Sequence, residues 1–262
     1  MKVEGPPFPP PFAGSGRAPE RGPDAHRSQA RGGPLQGGRS STSRDGGLLL
    51  PARGLLFDND GVLVDSEPSV VRSWSRWARD HDLDPAEVMA AVPGRRVADT
   101  VALFVKPARV EESVELITRY ELEDVEGTTA VPGVLELVPQ LAGVPWAVVT
   151  SGVRELATAR LRAAGVPLPA VVVTAEDVLA GKPDPEPYAT GAERLGLAPA
   201  DVIVLEDSAS GIASGLTAGA TVLGIGEAAL DTPAPTVARD LTGARWTGRG
   251  LELPSAALLR RP

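Results

Sequence analysis

Two aspartates stand two positions apart in the run Phe57-Asp58-Asn59-Asp60-Gly61-Val62-Leu63-Val64-Asp65-Ser66. They follow a short apolar block, Gly54-Leu55-Leu56-Phe57, and precede a glycine. Acids are poor strand formers, and two carboxylates on one turn repel. A hard cation between them relieves the repulsion, and Asp60 can offer it a backbone carbonyl while its side chain points elsewhere. A carboxylate is a competent nucleophile toward phosphorus. A second acid beside it can protonate a leaving oxygen and then activate water. Taken alone, the pair also reads as a solvated turn with two capping acids.

Three further segments bear on that choice. Thr150-Ser151-Gly152 follows an apolar block and offers a hydroxyl and free backbone N–H groups to phosphate oxygens, or else a plain helix N-cap. Gly181-Lys182-Pro183-Asp184-Pro185 carries one lysine in a proline-framed loop, suited to neutralising an attacking carboxylate and a phosphoryl group, or else an ordinary surface cation. Glu206-Asp207 ends another apolar block before Ser208-Ala209-Ser210-Gly211, as ligands for a hard cation or as capping acids. Each segment has an ordinary explanation by itself. Together they supply nucleophile, hydroxyl, cation and paired carboxylates, and phosphoryl transfer depends on positioning and charge neutralisation.

The elements that must position these groups read as alternating strands and helices. Arg53–Asp58, Trp146–Thr150, Val171–Thr174, Val202–Glu206 and Thr221–Ile225 are continuous apolar blocks, the pattern of strands buried on both faces. Helical spacing links Leu156, Ala159, Leu161, Ala163 and Ala164 up to Gly165, then Tyr188, Ala192 and Leu195 up to Gly196, then Ile212, Leu216 and Ala220. The expected fold is α/β, a doubly wound parallel sheet whose strand ends carry the candidate residues at one edge. Between Ser66 and Thr129 the pattern is helical, with Val70, Val71, Trp74, Trp77 and Ala78 on one face. A stretch of that length is no simple connection and is expected to be a small helical cap inserted after the first strand.

Composition narrows the chemistry. The chain has no cysteine and only His26 and His81, which excludes thiolate sites and nearly excludes a His-based triad or multi-His metal centre. A metal must then be held by oxygen, which suits Mg²⁺. The net charge of −8 does not favour nucleic acid. No membrane partner is expected, because no run approaches the ~20 apolar residues that span a bilayer. The N-terminus lacks the apolar core of a signal peptide, so a cytoplasmic location is expected. Residues 1–50 are dense in Pro, Gly, Ser and Arg and read as a disordered tail, either a proline-rich docking arm or an uninformative extension. The expected division is this tail, a catalytic core of 51–66 and 129–250, a cap of 67–128 and a C-terminal tail of 251–262.

Asp58-Asn59-Asp60-Gly61, Thr150, Lys182 and Glu206-Asp207, in that order, resemble the four motifs of the haloacid dehalogenase superfamily, over about Gly54 to Ile225. The insertion resembles the helical cap of the β-phosphoglucomutase-like subgroup. Pro145–Gly152, Gly181–Tyr188 and Glu206–Gly211 resemble the sugar-phosphate phosphatases within it, which act on hexitol, deoxyhexose and glycerol phosphates. The resemblance implies a Mg²⁺-dependent phosphatase of a small sugar or polyol phosphate, expected to be a monomer. It implies Asp58 as nucleophile, Asp60 as acid/base, and Thr150 and Lys182, with Ser151 and Gly152 beside Thr150, as phosphate-binding groups. Mg²⁺ would be ligated by Asp58, the Asp60 carbonyl and Asp207, with Glu206 acting through water. In the cap, Pro93-Gly94-Arg95-Arg96 occupies the position of a specificity loop in which such phosphatases often carry His before Gly; Arg95 or Arg96 could hold the substrate, or be a solvated basic loop. Asn59 stands where relatives usually carry an apolar or small residue. A phosphomutase, or a non-catalytic binding protein on the same scaffold, are the alternatives.

Overall fold

A computed structural model describes residues 41–42 and 46–262; the Pro/Gly/Arg-rich segment as far as residue 40 lies outside the described residues. Seven strands form the principal sheet: β1 (Gly54–Phe57), β2 (Trp146–Val149), β3 (Val171–Val173), β4 (Val202–Glu206), β5 (Thr221–Ile225), β6 (Thr236–Ala238) and β7 (Leu258–Arg260). Their order across the sheet is β7-β6-β5-β4-β1-β2-β3. Every neighbouring pair is parallel except β6 with β7. The helices that matter below are α1 (Glu67–Asp80), α2 (Pro85–Ala91), α3 (Val97–Phe104), α4 (Val110–Glu123), α5 (Arg154–Ala163), α6 (Glu186–Arg194) and α7 (Ala209–Thr217).

Continuous apolar strands are what a sheet covered on both faces requires. Leu55 and Phe57 of β1 turn to one face, where they join Val148, Ile203, Leu205, Leu223 and Leu161 of α5. Leu56 turns to the other face, with Val149, Val204, Val222, and Tyr188, Ala192 and Ile212 of α6 and α7. The expected doubly wound α/β fold is therefore present. Its central strands β4, β1 and β2 lie side by side, so the residues that follow them emerge together at one edge.

The stretch after β1 is helical, as expected. Val64–Asp65 pairs antiparallel with Thr129–Ala130 where the chain leaves and re-enters the sheet layer, and α1 to α4 lie between. Trp74, Trp77, Ala78, Val88, Val101, Ile117 and Tyr120 form a separate apolar cluster inside this insertion. Val71, expected on the same buried face as Trp74, is 40% exposed.

Two boundaries differ from expectation. Leu48–Pro51 is a strand, so a division at residue 50 cuts through an ordered element. Residues 251–262 are likewise built into the fold, through Gly250–Leu253 and β7. Leu48–Pro51 pairs antiparallel with Gly250–Leu253, and a second, four-stranded sheet runs Ser41–Thr42, Leu48–Pro51, Gly250–Leu253, Arg245–Trp246. Leu48, Leu50, Leu251 and Leu253 are buried in the same core as β1. The apolar run at residue 48 is short and preceded by Gly46-Gly47, and Leu251-Glu252-Leu253 is followed by Pro254; local pattern gave no reason to expect strands there. Among the described residues no helix is long and apolar enough to cross a membrane.

Candidate active site

Phe57 is the last residue of β1 and pairs with Val148 of β2 and Leu205 of β4. The register fixes Asp58, Thr150 and Glu206-Asp207 at adjacent strand ends. Lys182 arrives from farther away, in the loop between β3 and α6. Its ammonium donates to Asp58 Oδ1 at 2.6 Å, Glu206 Oε1 at 2.7 Å and the Val149 carbonyl at 3.1 Å. It also lies 4.9 Å from the centre of the Tyr188 ring. The Lys182 side chain is 1% exposed, so three acceptors and an aromatic face replace its water.

Glu206 is fully buried, and all its lone pairs are accounted for. Oε1 accepts from Lys182 and from Tyr188 Oη at 3.0 Å, and Oε2 accepts from the Ser208 amide at 2.8 Å and its hydroxyl at 2.9 Å. The Ser208 hydroxyl also accepts from the Gly211 amide at 3.1 Å, capping α7. Glu206 thus fixes Lys182 and the start of α7 at once.

Asp58, Glu206 and Asp207 each bring a carboxylate oxygen within 4.8 Å of the others. Burial raises the Asp58 carboxyl to about 7; the Lys182 ammonium pulls it down, and the charges of Glu206 and Asp60 push it further up. Burial, then Glu206 and Asp58, hold Asp207 well above the usual carboxylate range. Burial alone would lower Lys182, but Asp58 and Glu206 outweigh it and keep the ammonium charged. One ammonium cannot neutralise these acids once they ionise, and oxygen donors converging in that way fit a hard divalent cation. Gly61, at φ +78°, lets the loop close on the cluster: a Cβ there would stand 2.0 Å from Asp207 Oδ2.

The Asp60 side chain is held by a different set of partners. Oδ1 accepts from the Ser66 hydroxyl at 2.5 Å and from Arg160 of α5 at 2.9 Å, and Oδ2 from the Asn59 amide at 3.2 Å. Asn59 itself is buried and directs its amide at its neighbour. The Thr150 hydroxyl accepts from the Gly152 amide at 3.0 Å, and Ser151 donates to the Gly94 carbonyl at 3.0 Å. Gly94 rests directly over the site: a Cβ there would lie 2.4 Å from Ser208 Oγ and 2.1 Å from Ser210 Oγ.

The candidate arginines of the insertion differ from one another. Arg95 is exposed. Arg96 donates through Nε and one terminal nitrogen to Asp99 at 2.7 and 3.1 Å, and through the other to the Leu179 carbonyl at 3.0 Å. Its guanidinium is thereby committed to tying the insertion to the Lys182 loop. The residues that the sequence reading passed over are Ser66, Glu121, Arg160 and Tyr188 in its polar role. For Arg160 a signal was available: it follows Leu156 by one helical turn and precedes Leu161, so α5 carries a cation on its buried face.

Residues 52–219 match the family model for haloacid dehalogenase-like hydrolases. The chain is 45% identical to hexitol phosphatase A of Escherichia coli over 189 residues, covering 70% of this chain and 87% of that protein. It is 34% identical to glycerol-1-phosphate phosphohydrolase 2 of Saccharomyces cerevisiae over 194 residues, covering 68% of this chain and 76% of that one. Among solved structures, a haloacid dehalogenase family hydrolase from Deinococcus radiodurans with bound phosphate and sodium is 33% identical, with a TM-score of 0.50, covering 67% of this chain and 81% of that one.

Proposed function

Because the chain belongs to the haloacid dehalogenase-like hydrolases, we propose that it hydrolyses a small sugar or polyol phosphate, with Asp58 as the nucleophile. The observation that carries this reading is the buried contact of Lys182 with both Asp58 and Glu206, beside Asp207, at the edge where β1, β2 and β4 end. The substrate class is supported by relatives whose names specify hexitol and glycerol phosphates.

In this reading Asp58 attacks phosphorus while Lys182 and the Thr150 loop hold the phosphoryl oxygens. The bond from phosphorus to the leaving alkoxide breaks as the bond to Asp58 forms, and Asp60 gives the alkoxide its proton. Water then attacks phosphorus, the bond to Asp58 breaks, and the water's proton passes to Asp60. Asp58, the Asp60 carbonyl and Asp207 would hold Mg²⁺, with Glu206 close by. When bound, the ion supplies charge neutralisation at the phosphoryl group and between the carboxylates. Residues 67–128 act as a cap whose Gly94–Arg95 loop excludes water and contacts the sugar or polyol part, Arg95 being the arginine left free for it.

The test is phosphate release from p-nitrophenyl phosphate and from a panel of hexitol, deoxyhexose and glycerol phosphates, with Mg²⁺ or with chelator. Metal-dependent release is expected, and Asp58→Asn is expected to lower it by at least about a thousandfold. Turnover retained in Asp58→Asn, or unaffected by chelator, refutes the assignment. Isomerised sugar phosphate in place of released phosphate would make the protein a mutase.

A further inference from the structure

Arg160 reaches from α5 into the space between the Asp60 turn and α4 of the insertion, and its side chain is 4% exposed. One terminal nitrogen donates to Asp60 Oδ1 at 2.9 Å and the other to Glu121 Oε1 at 3.1 Å. Glu121 is buried to the same degree. The Ser66 hydroxyl donates to the same oxygen of Asp60 at 2.5 Å. A cationic donor and a hydroxyl therefore converge on Oδ1, while Oδ2 receives only the longer contact from the Asn59 amide, at 3.2 Å.

That asymmetry needs a reason. Desolvation offsets most of what a buried ion pair gains, so apolar residues between α4 and α5 would join the two helices as well. What apolar residues cannot do is distinguish the two oxygens of a neighbouring carboxylate. A protonated carboxyl group keeps its proton off an oxygen that already accepts two hydrogen bonds, one from a guanidinium.

We propose that Arg160 is a positioning residue: anchored by Glu121 and assisted by Ser66, it clamps Oδ1 of Asp60, so that Oδ2 carries the proton exchanged during hydrolysis. The inference rests on the reading of Asp60 as the acid/base. In the first step the proton leaves Oδ2 for the alkoxide oxygen as its bond to phosphorus breaks. In the second, the attacking water's proton returns to Oδ2 as the bond between phosphorus and Asp58 breaks. Arg160 keeps its own protons throughout.

The test compares leaving groups. An alkoxide from glycerol or hexitol phosphate needs a proton, whereas p-nitrophenolate departs without one. The quantity to follow is the ratio of kcat for an alkyl phosphate to the single-turnover rate of p-nitrophenol release, with Mg²⁺ present, in the full-length protein. Arg160→Gln is expected to lower that ratio about 10- to 100-fold. The double variant Arg160→Gln/Glu121→Gln leaves no unpaired buried charge and should lower it equally, because Glu121 acts only through Arg160. It carries the measurement if the single variant does not fold. A ratio within about threefold of wild type in the folded variant overturns the inference, since a merely structural arginine would slow both substrates together. If the wild-type protein releases no p-nitrophenol with Mg²⁺, it is the phosphatase reading that has failed, and this inference falls with it.

Discussion

At the scale of the residue, the decisive group is the Asp58 carboxyl. Burial raises it to about 7 against an ordinary 3.8, even with Lys182 beside it pulling the other way. Between those values the folded protein holds a proton that the unfolded chain has released. Stability of the metal-free protein therefore falls as pH rises through that window. Asp207, shifted the same way, adds to the fall. In chelator, the midpoint of thermal unfolding should be higher at about pH 5 than at about pH 7.5, and Mg²⁺ should raise it more at the higher pH. Equal midpoints at the two pH values, with no larger response to Mg²⁺ at the higher one, contradict the crowding of carboxylates described here. The same scale shows what a sequence can disclose. Asp58, Thr150 and Glu206-Asp207 were legible because each follows an apolar strand, and strand ends are where a parallel sheet presents its ligands. The place of Arg160 on the buried face of α5 was legible, but its partners Asp60 and Glu121 were not, because it meets them only across the folded molecule.

At the scale of the element, the loop between α2 and α3 brings the insertion against the residues beside the acidic cluster at several points. Ser151 bonds its Gly94 carbonyl, Ser208 and Ser210 crowd the Gly94 Cα, and Arg96 reaches the Leu179 carbonyl. Gly94 adopts φ +71°, and no side chain fits above the two serines. Gly94→Ala must therefore lift the loop or strain it, at a cost of about 1–2 kcal/mol. The expected result is a fall of about tenfold in kcat/KM for a sugar or polyol phosphate. The apolar core of the insertion lies elsewhere, around Trp74 and Trp77, so the thermal midpoint should fall by no more than about 2–8 °C. A large loss of stability with kcat/KM unchanged would show that the loop serves folding and not the site. The helices of this element were legible from their spacing. The seat of the Gly94 loop was not, because it depends on serines more than a hundred positions later in the chain.

At the scale of the whole molecule, the sheet that carries the site is braced by a second one. Leu50 is 2% exposed and packs in the cluster that holds Leu55 and Phe57. Leu50→Ala should cost about 2–4 kcal/mol in urea unfolding, with kcat unchanged, since Leu50 does not reach the acidic cluster. A loss below about 0.5 kcal/mol would mean that this strand is dispensable to the core. Strands β1 to β5 could be read because each sits in a continuous apolar block. Thr236–Ala238, Gly250–Leu253 and Leu258–Arg260 could not, because each is interrupted or flanked by a charged residue or a proline, and what makes it a strand is the neighbour it pairs with.

The pairing of Pro51 with Gly250 has a consequence for how the protein comes into being. The two partners are separated by roughly two hundred positions, among the most distant contacts a chain of this size can make. During synthesis, the strand beginning at Leu48 leaves the ribosome early and must wait, with its apolar side uncovered and its edge unpaired, until its mate is made. The Asp58 loop begins seven residues after that strand. A nascent chain can thus assemble its helices and much of its parallel sheet while the brace beneath Asp58 is still open, and completing that brace belongs among the last events of folding.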